Sequence, residues 1–103
     1  MAKVVLEQVN SANVRVNNSS DDERVYDITQ SMEVRGDNVV NISDGTVKQN
    51  GVVKANYQRW SENNMSVQFQ TNNSIEMCGI VNAINEFILN CEEAVANDEF
   101  KFE

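Results

Sequence analysis

Apolar and polar residues alternate through the first two-thirds of the chain, and then the period changes. From Asn73 to Asn97, Met77, Ile80, Val81, Ile84, Phe87, Ile88, Cys91, Ala94 and Val95 recur at steps of three and four. That spacing lays a single apolar stripe along one long amphipathic α-helix. Asn73 followed three residues later by Glu76 is a capping-box-like start, an acceptor for the first free backbone N–H groups.

Upstream the period is two. Lys3 to Val9 predicts a first strand, and Asn13 to Asn17 a second, with Val14 and Val16 on one face and Arg15 on the other. Asn17 to Glu23 reads as a polar exposed loop. Arg24 to Val34 is the clearest strand: Tyr26, Ile28, Met32 and Val34 share one side, and Asp27, Thr29, Ser31 and Glu33 the other, the mark of a half-wet antiparallel sheet. Arg35-Gly36-Asp37-Asn38 supplies a turn. Val39 to Ile42 meets a bulge or turn at Ser43-Asp44-Gly45 and resumes through Lys48. Asn50-Gly51 is a strong hairpin signal, leading into Val52 to Trp60. Met65, Val67 and Phe69 then alternate with Ser66, Gln68 and Gln70.

The expected fold is therefore α+β: an antiparallel β-meander of five or six strands packed against one long C-terminal α-helix. It is read as a single domain over 1–103, with the sheet in 1–72, the amphipathic helix in 73–97 and an acidic tail in 98–103. Strands of five to eight residues would span about 17 to 27 Å, and a 24-residue helix about 36 Å. The helix should then overhang its sheet, and a second subunit would cover the excess. Ile84, Ile88, Leu89, Cys91 and Val95 are the expected homo-oligomer interface.

Charge sharpens this picture. The chain of 103 residues carries a formal net charge of −8, from sixteen acids and eight bases. Nine acids and seven bases precede Ser74, whereas seven acids and only Lys101 follow from there on. A nearly neutral sheet thus joins an acidic helix and tail, a distribution that repels duplex DNA and anionic membranes and favours basic partners. The N-terminus turns polar at Glu7, and no apolar run approaches a membrane span, so the expected setting is cytoplasmic with no membrane partner. Sixteen asparagines with no proline or histidine fit an AT-rich source such as a phage or mobile element.

Catalytic chemistry finds little support. Without histidine the commonest general base and metal ligand is missing. Cys78 and Cys91, thirteen residues apart on one helix, would stand about 20 Å from each other, far beyond the roughly 7 Å that a disulfide tolerates. Asp21-Asp22-Glu23 lacks the spaced acids and glycine of a calcium loop and reads as solvated. Arg35-Gly36-Asp37 spells an adhesion tripeptide but sits where a hairpin needs its turn. No catalytic residue, metal site or cofactor is expected.

Three functions remain. The leading one is a non-catalytic binding or assembly protein, oligomeric and acting on a protein partner. The second uses the sheet face: Arg15, Arg35, Lys48, Lys54 and Arg59, with Trp60 and Tyr57, would stack and neutralise a single nucleic-acid strand, with Arg15, Lys54, Arg59 and Trp60 as its chief residues. In the arrangement of its elements the chain resembles small phage single-stranded-DNA-binding proteins, which implies a dimer made through the C-terminal helix. The third is an acidic inhibitor whose Glu86, Glu92, Glu93, Asp98 and Glu99 imitate nucleic-acid phosphates toward a basic host protein.

Overall fold

The computed structural model describes residues 4–10, 13–18, 25–36, 38–61 and 64–97, the side chains of 5–10 excepted. Six strands follow one another, β1 (Val4–Asn10), β2 (Asn13–Asn18), β3 (Asp27–Arg35), β4 (Asn38–Gln49), β5 (Val52–Ser61) and β6 (Asn64–Phe69), and then one helix, α1 (Ser74–Ala96). Every neighbouring pair is antiparallel, and the order in the sheet is the order in the chain. The α+β meander with its C-terminal helix is thus the architecture, with six strands. Asn50 and Gly51 both have positive φ, 52° and 81°, the geometry that lets a two-residue loop match the twist of β4 and β5.

The helix ends where its chemistry stops it. The Asn73 side chain accepts from the Glu76 backbone N–H at 3.0 Å, and Asn97 closes the C-terminus. Ile80, Ile84, Phe87, Ile88, Cys91, Ala94 and Val95 are buried against Val14, Val16, Ile28, Met32, Val34, Ile42, Val47, Ala55 and Tyr57 of the sheet. The helix lies chiefly on β4, and also on β1 and β3.

The expected overhang does not occur. β3, β4 and β5 have 9, 12 and 10 residues, longer than the short strands anticipated. β4 alone reaches about 40 Å, against about 34 Å for the helix. Consequently Ile84, Ile88, Cys91 and Val95 are covered by the chain's own sheet, and of the five expected interface residues only Leu89 is exposed, at 64%.

Bulges let so long a strand keep its core. Ser31 pairs with Asp44 and Met32 with Ile42, so Ser43 is an extra residue, its hydroxyl donating to the Ser31 carbonyl at 3.3 Å. The insertion shifts the inward phase of β4, so that Ile42, Gly45 and Val47 are all buried. Strict alternation would have turned Asp44 inward instead.

Gly45 is where the core is tightest. It pairs with Gln30 on one side and Tyr57 on the other, and a methyl group on it would land inside the Tyr57 ring. The ring lies across the bare backbone, and its hydroxyl donates to Gln30 Oε1 at 2.6 Å. Gly45→Ala should therefore lower the urea midpoint, with a loss of roughly 1 to 3 kcal/mol as for overpacked cores. An unchanged midpoint would show that the ring has room to move.

Candidate functional site

The buried polar group at the centre is the first place to look for chemistry. Gln30, fully buried on the apolar side of β3, accepts from Tyr57 and donates from Nε2 toward Met32 Sδ at 3.3 Å and Cys91 Sγ at 3.7 Å. Burial pushes the Tyr57 hydroxyl well above its usual range. Burial, and then the Glu92 charge, push the Cys91 thiol up to about 12. Both groups are neutral at physiological pH. A thiol attacks as its thiolate, so Cys91 is chemically quiet and serves packing. Cys78 lies exposed on the outer helix face, and the two do not pair.

The basic residues expected on the open sheet face are divided. Arg15 faces solvent on β2, and its guanidinium donates to Ser31 Oγ at 2.9 Å. Lys54 instead reaches the helix, with Nζ 3.3 Å from Glu76 Oε1. Arg59 shares the inward face of β5 with Ala55 and Tyr57; its side chain is only 11% exposed, and Nη1 lies 3.8 Å from Glu92 Oε1. A bulge explains Lys54: Val47 pairs with Ala55 and Lys48 with Val53, leaving Lys54 as the extra residue. Arg59 simply continues the inward parity of Tyr57. Trp60, 60% exposed, stands at the end of β5. Arg15, Lys54, Arg59 and Trp60 therefore form no common surface.

The two ion pairs also fix how the helix lies. Glu76 and Glu92 are sixteen residues apart, which at 3.6 residues per turn places them about 160° apart around the axis. Both nevertheless meet β5. From its place chiefly on β4, the helix thus presents one flank to Lys54 and the opposite flank to Arg59.

The face away from the helix is polar and evenly charged. A straight row, Asn17, Thr29, Thr46, Asn56 and Gln68, runs across five strands by direct pairing, with Thr46 Oγ1 3.4 Å from Asn56 Oδ1. Glu33 binds Arg35 and Asn41, and those two hydrogen bonds hold its carboxyl below the usual range. With Asp27 and Lys48 directly paired across the strands, this face carries both signs and offers no basic stripe.

Exposed apolar side chains are scattered as Val25, Val52, Ile75 and Leu89, and at the β6 side they join an edge strand. Met65 is 38% exposed, and Val67 and Phe69 are half-buried at the border of the core. β6 carries no charged residue. On the outer helix face, Glu86 and Glu93 are exposed, whereas Glu92 is held by Arg59. Asp98 and Glu99, the Asp21-Asp22-Glu23 loop, Asp37 and the acidic tail lie outside the described residues.

Among the described residues no three His, Cys, Asp or Glu gather to hold a metal ion. No helix there is long and apolar enough to cross a membrane. No protein-family model, curated protein or solved structure matches this chain.

The thiols give a direct check on this core. In the folded protein Cys78 should react with a disulfide reagent at once, and Cys91 only as the chain unfolds. Because the thiol pKa rises from 9.0 to about 12 on folding, its contribution to stability is complete below pH 9.0 and is lost as pH climbs toward 12. Cys91→Ala should flatten that alkaline decline. Equal labelling of both thiols in the native state would contradict the burial.

Proposed function

We propose that this chain is a small non-catalytic binding and assembly protein that acts through a protein partner. The observation that supports this most is the β6 side of the sheet. An uncharged edge strand there carries exposed Met65 beside exposed Trp60 of β5, so backbone groups and apolar side chains are offered together, which the scattered exposed Val25, Val52, Ile75 and Leu89 do not do. The strand edge offers backbone hydrogen bonds, and the alternating side chains offer selectivity, which is how proteins receive an added strand. The titratable side chains near the core are engaged in packing or ion pairs, a use that favours scaffolding over catalysis.

Single-strand nucleic-acid binding is the weaker reading. Two of its four residues, Lys54 and Arg59, are committed to helix carboxylates, and using them would cost the fold its clamps. Imitation of nucleic acid by the helix acids is weakened in the same way at Glu92.

A two-armed experiment separates these functions. A photo-crosslinking residue in place of Met65 should give protein adducts in the cells that make the chain, and Val67→Pro should abolish them. An oligonucleotide of about 20 bases, long enough for a stacking groove, should show no saturable anisotropy change even at low salt. Salt-sensitive oligonucleotide binding, with no adduct at position 65, would overturn the proposal.

A further inference from the structure

The two edges of the sheet are unlike each other. β1 is broken by a register shift between Leu6 and Gln8, with Glu7 as the extra residue. A bulge and a charge on an edge are the devices by which sheets avoid sticking to other sheets. β6 has neither: Asn64-Met65-Ser66-Val67-Gln68-Phe69 carries no charge or proline. The shift in its pairing with β5 falls between Arg59 and Ser61, where the extra residue Trp60 belongs to β5 and not to β6.

The backbone of β6 also has a definite polarity. The Gln70 N–H donates to the Lys54 carbonyl at 2.7 Å, so Gln70 points toward β5. Hydrogen-bonding direction alternates along an antiparallel strand. Ser66 and Gln68 therefore also face β5, in pairs with Gln58 and Asn56. The N–H and C=O groups of Met65, Val67 and Phe69 face outward. Among the described residues these backbone groups have no partner; the side chains of Val67 and Phe69 lie half-buried at the border of the core, and that of Met65 is exposed beside them.

This edge is complementary to itself. Placed antiparallel to a second β6 about a two-fold axis at Val67, it sets Val67 opposite Val67 of the other copy, and Met65 opposite Phe69 in both directions. All three pairings use outward-facing backbone groups, giving about six hydrogen bonds. Ser66 meets Gln68 on the wet side. Moving the axis to Ser66 or Gln68 retains fewer apolar pairs. Charge points to the same place, since two chains of net charge −8 repel least where they meet through a strand with no charge at all.

We infer that two copies of this chain join edge to edge through β6, in a register centred on Val67, to form one continuous sheet with both helices on the same side. This rests on the binding reading above and names the partner as a second copy. A strand pair of this length lies at the small end of specific interfaces, below about 1,200 Å². Association is therefore expected near the micromolar range and should strengthen with salt as the mutual repulsion is screened.

The test combines sedimentation with amide exchange on the full chain. The average mass should rise with concentration from the single-chain 11.6 kDa toward twice that value, more readily at higher salt. The Met65, Val67 and Phe69 amides should become protected in step. Val67→Pro, which removes an outward N–H and leaves the β5 ladder intact, should return the protein to a monomer. Met65→Lys, which brings a charge to the edge, should do the same if proline disturbs folding. A monomer with freely exchanging 65, 67 and 69 amides overturns the second copy as occupant but leaves the edge open to another protein. A monomer with those amides protected means the chain covers its own edge, and overturns both. A dimer without their protection joins elsewhere and overturns the β6 interface.

Discussion

The position of the Tyr57 ring is the constraint from which much of this fold follows. Val16, Gln30, Gly45, Tyr57 and Val67 form one straight row across the sheet. The ring crosses β4 at the single residue with no side chain, and its hydroxyl reaches two strands away to a buried amide. Buried polar groups are tolerated when each finds a partner and are costly when one is lost. Tyr57 and Gln30 therefore specify each other, and Gly45 makes their meeting possible. Gly45 faces inward only because Ser43 bulges out ahead of it, and Cys91 of the helix lies close enough to complete the network.

The path of the helix follows from the sheet beneath it. With long central strands, the apolar stripe as far as Val95 is covered without a second subunit. Lys54 and Arg59 hold opposite flanks of the helix where it lies on β4. Partly buried ion pairs of this kind fix orientation more than they add stability, since desolvation offsets much of the attraction. The helix lies on β4, β1 and β3, and Val67 and Phe69 at the β6 border stay half-buried, beside the least protected edge of the sheet.

Much of this was legible in the sequence. The helix limits, marked by Asn73 and Glu76, agree to within a residue, because capping is a local property. The strands were visible as alternation, and Asn50-Gly51 marked its turn. The outlying cases share a cause: registry between strands, which one strand's pattern does not contain. Strand lengths were underestimated because Ser43-Asp44-Gly45 reads equally as a bulge or a turn, and only the pairing shows a bulge within one continuous β4. Lys54 was assigned to the wet face by counting in twos, and a second bulge rotates it to the helix. Gln30 carried a signal of its own, a polar residue in step with Ile28 and Met32, but its partner could be known only from the pairing of β3, β4 and β5. The β6 edge was present in the sequence as Met65, Val67 and Phe69; that it is an edge is a fact of topology.

The most direct test of the central row is a double-mutant cycle in urea with Tyr57→Phe, Gln30→Met and the pair together. If the hydroxyl and the amide depend on each other, the double variant should lose less than the sum of the single ones, with a coupling of about 1 kcal/mol or more, as for residues sharing one hydrogen bond. Strictly additive losses would mean that the two groups are satisfied independently, and that the core is not organised by their contact.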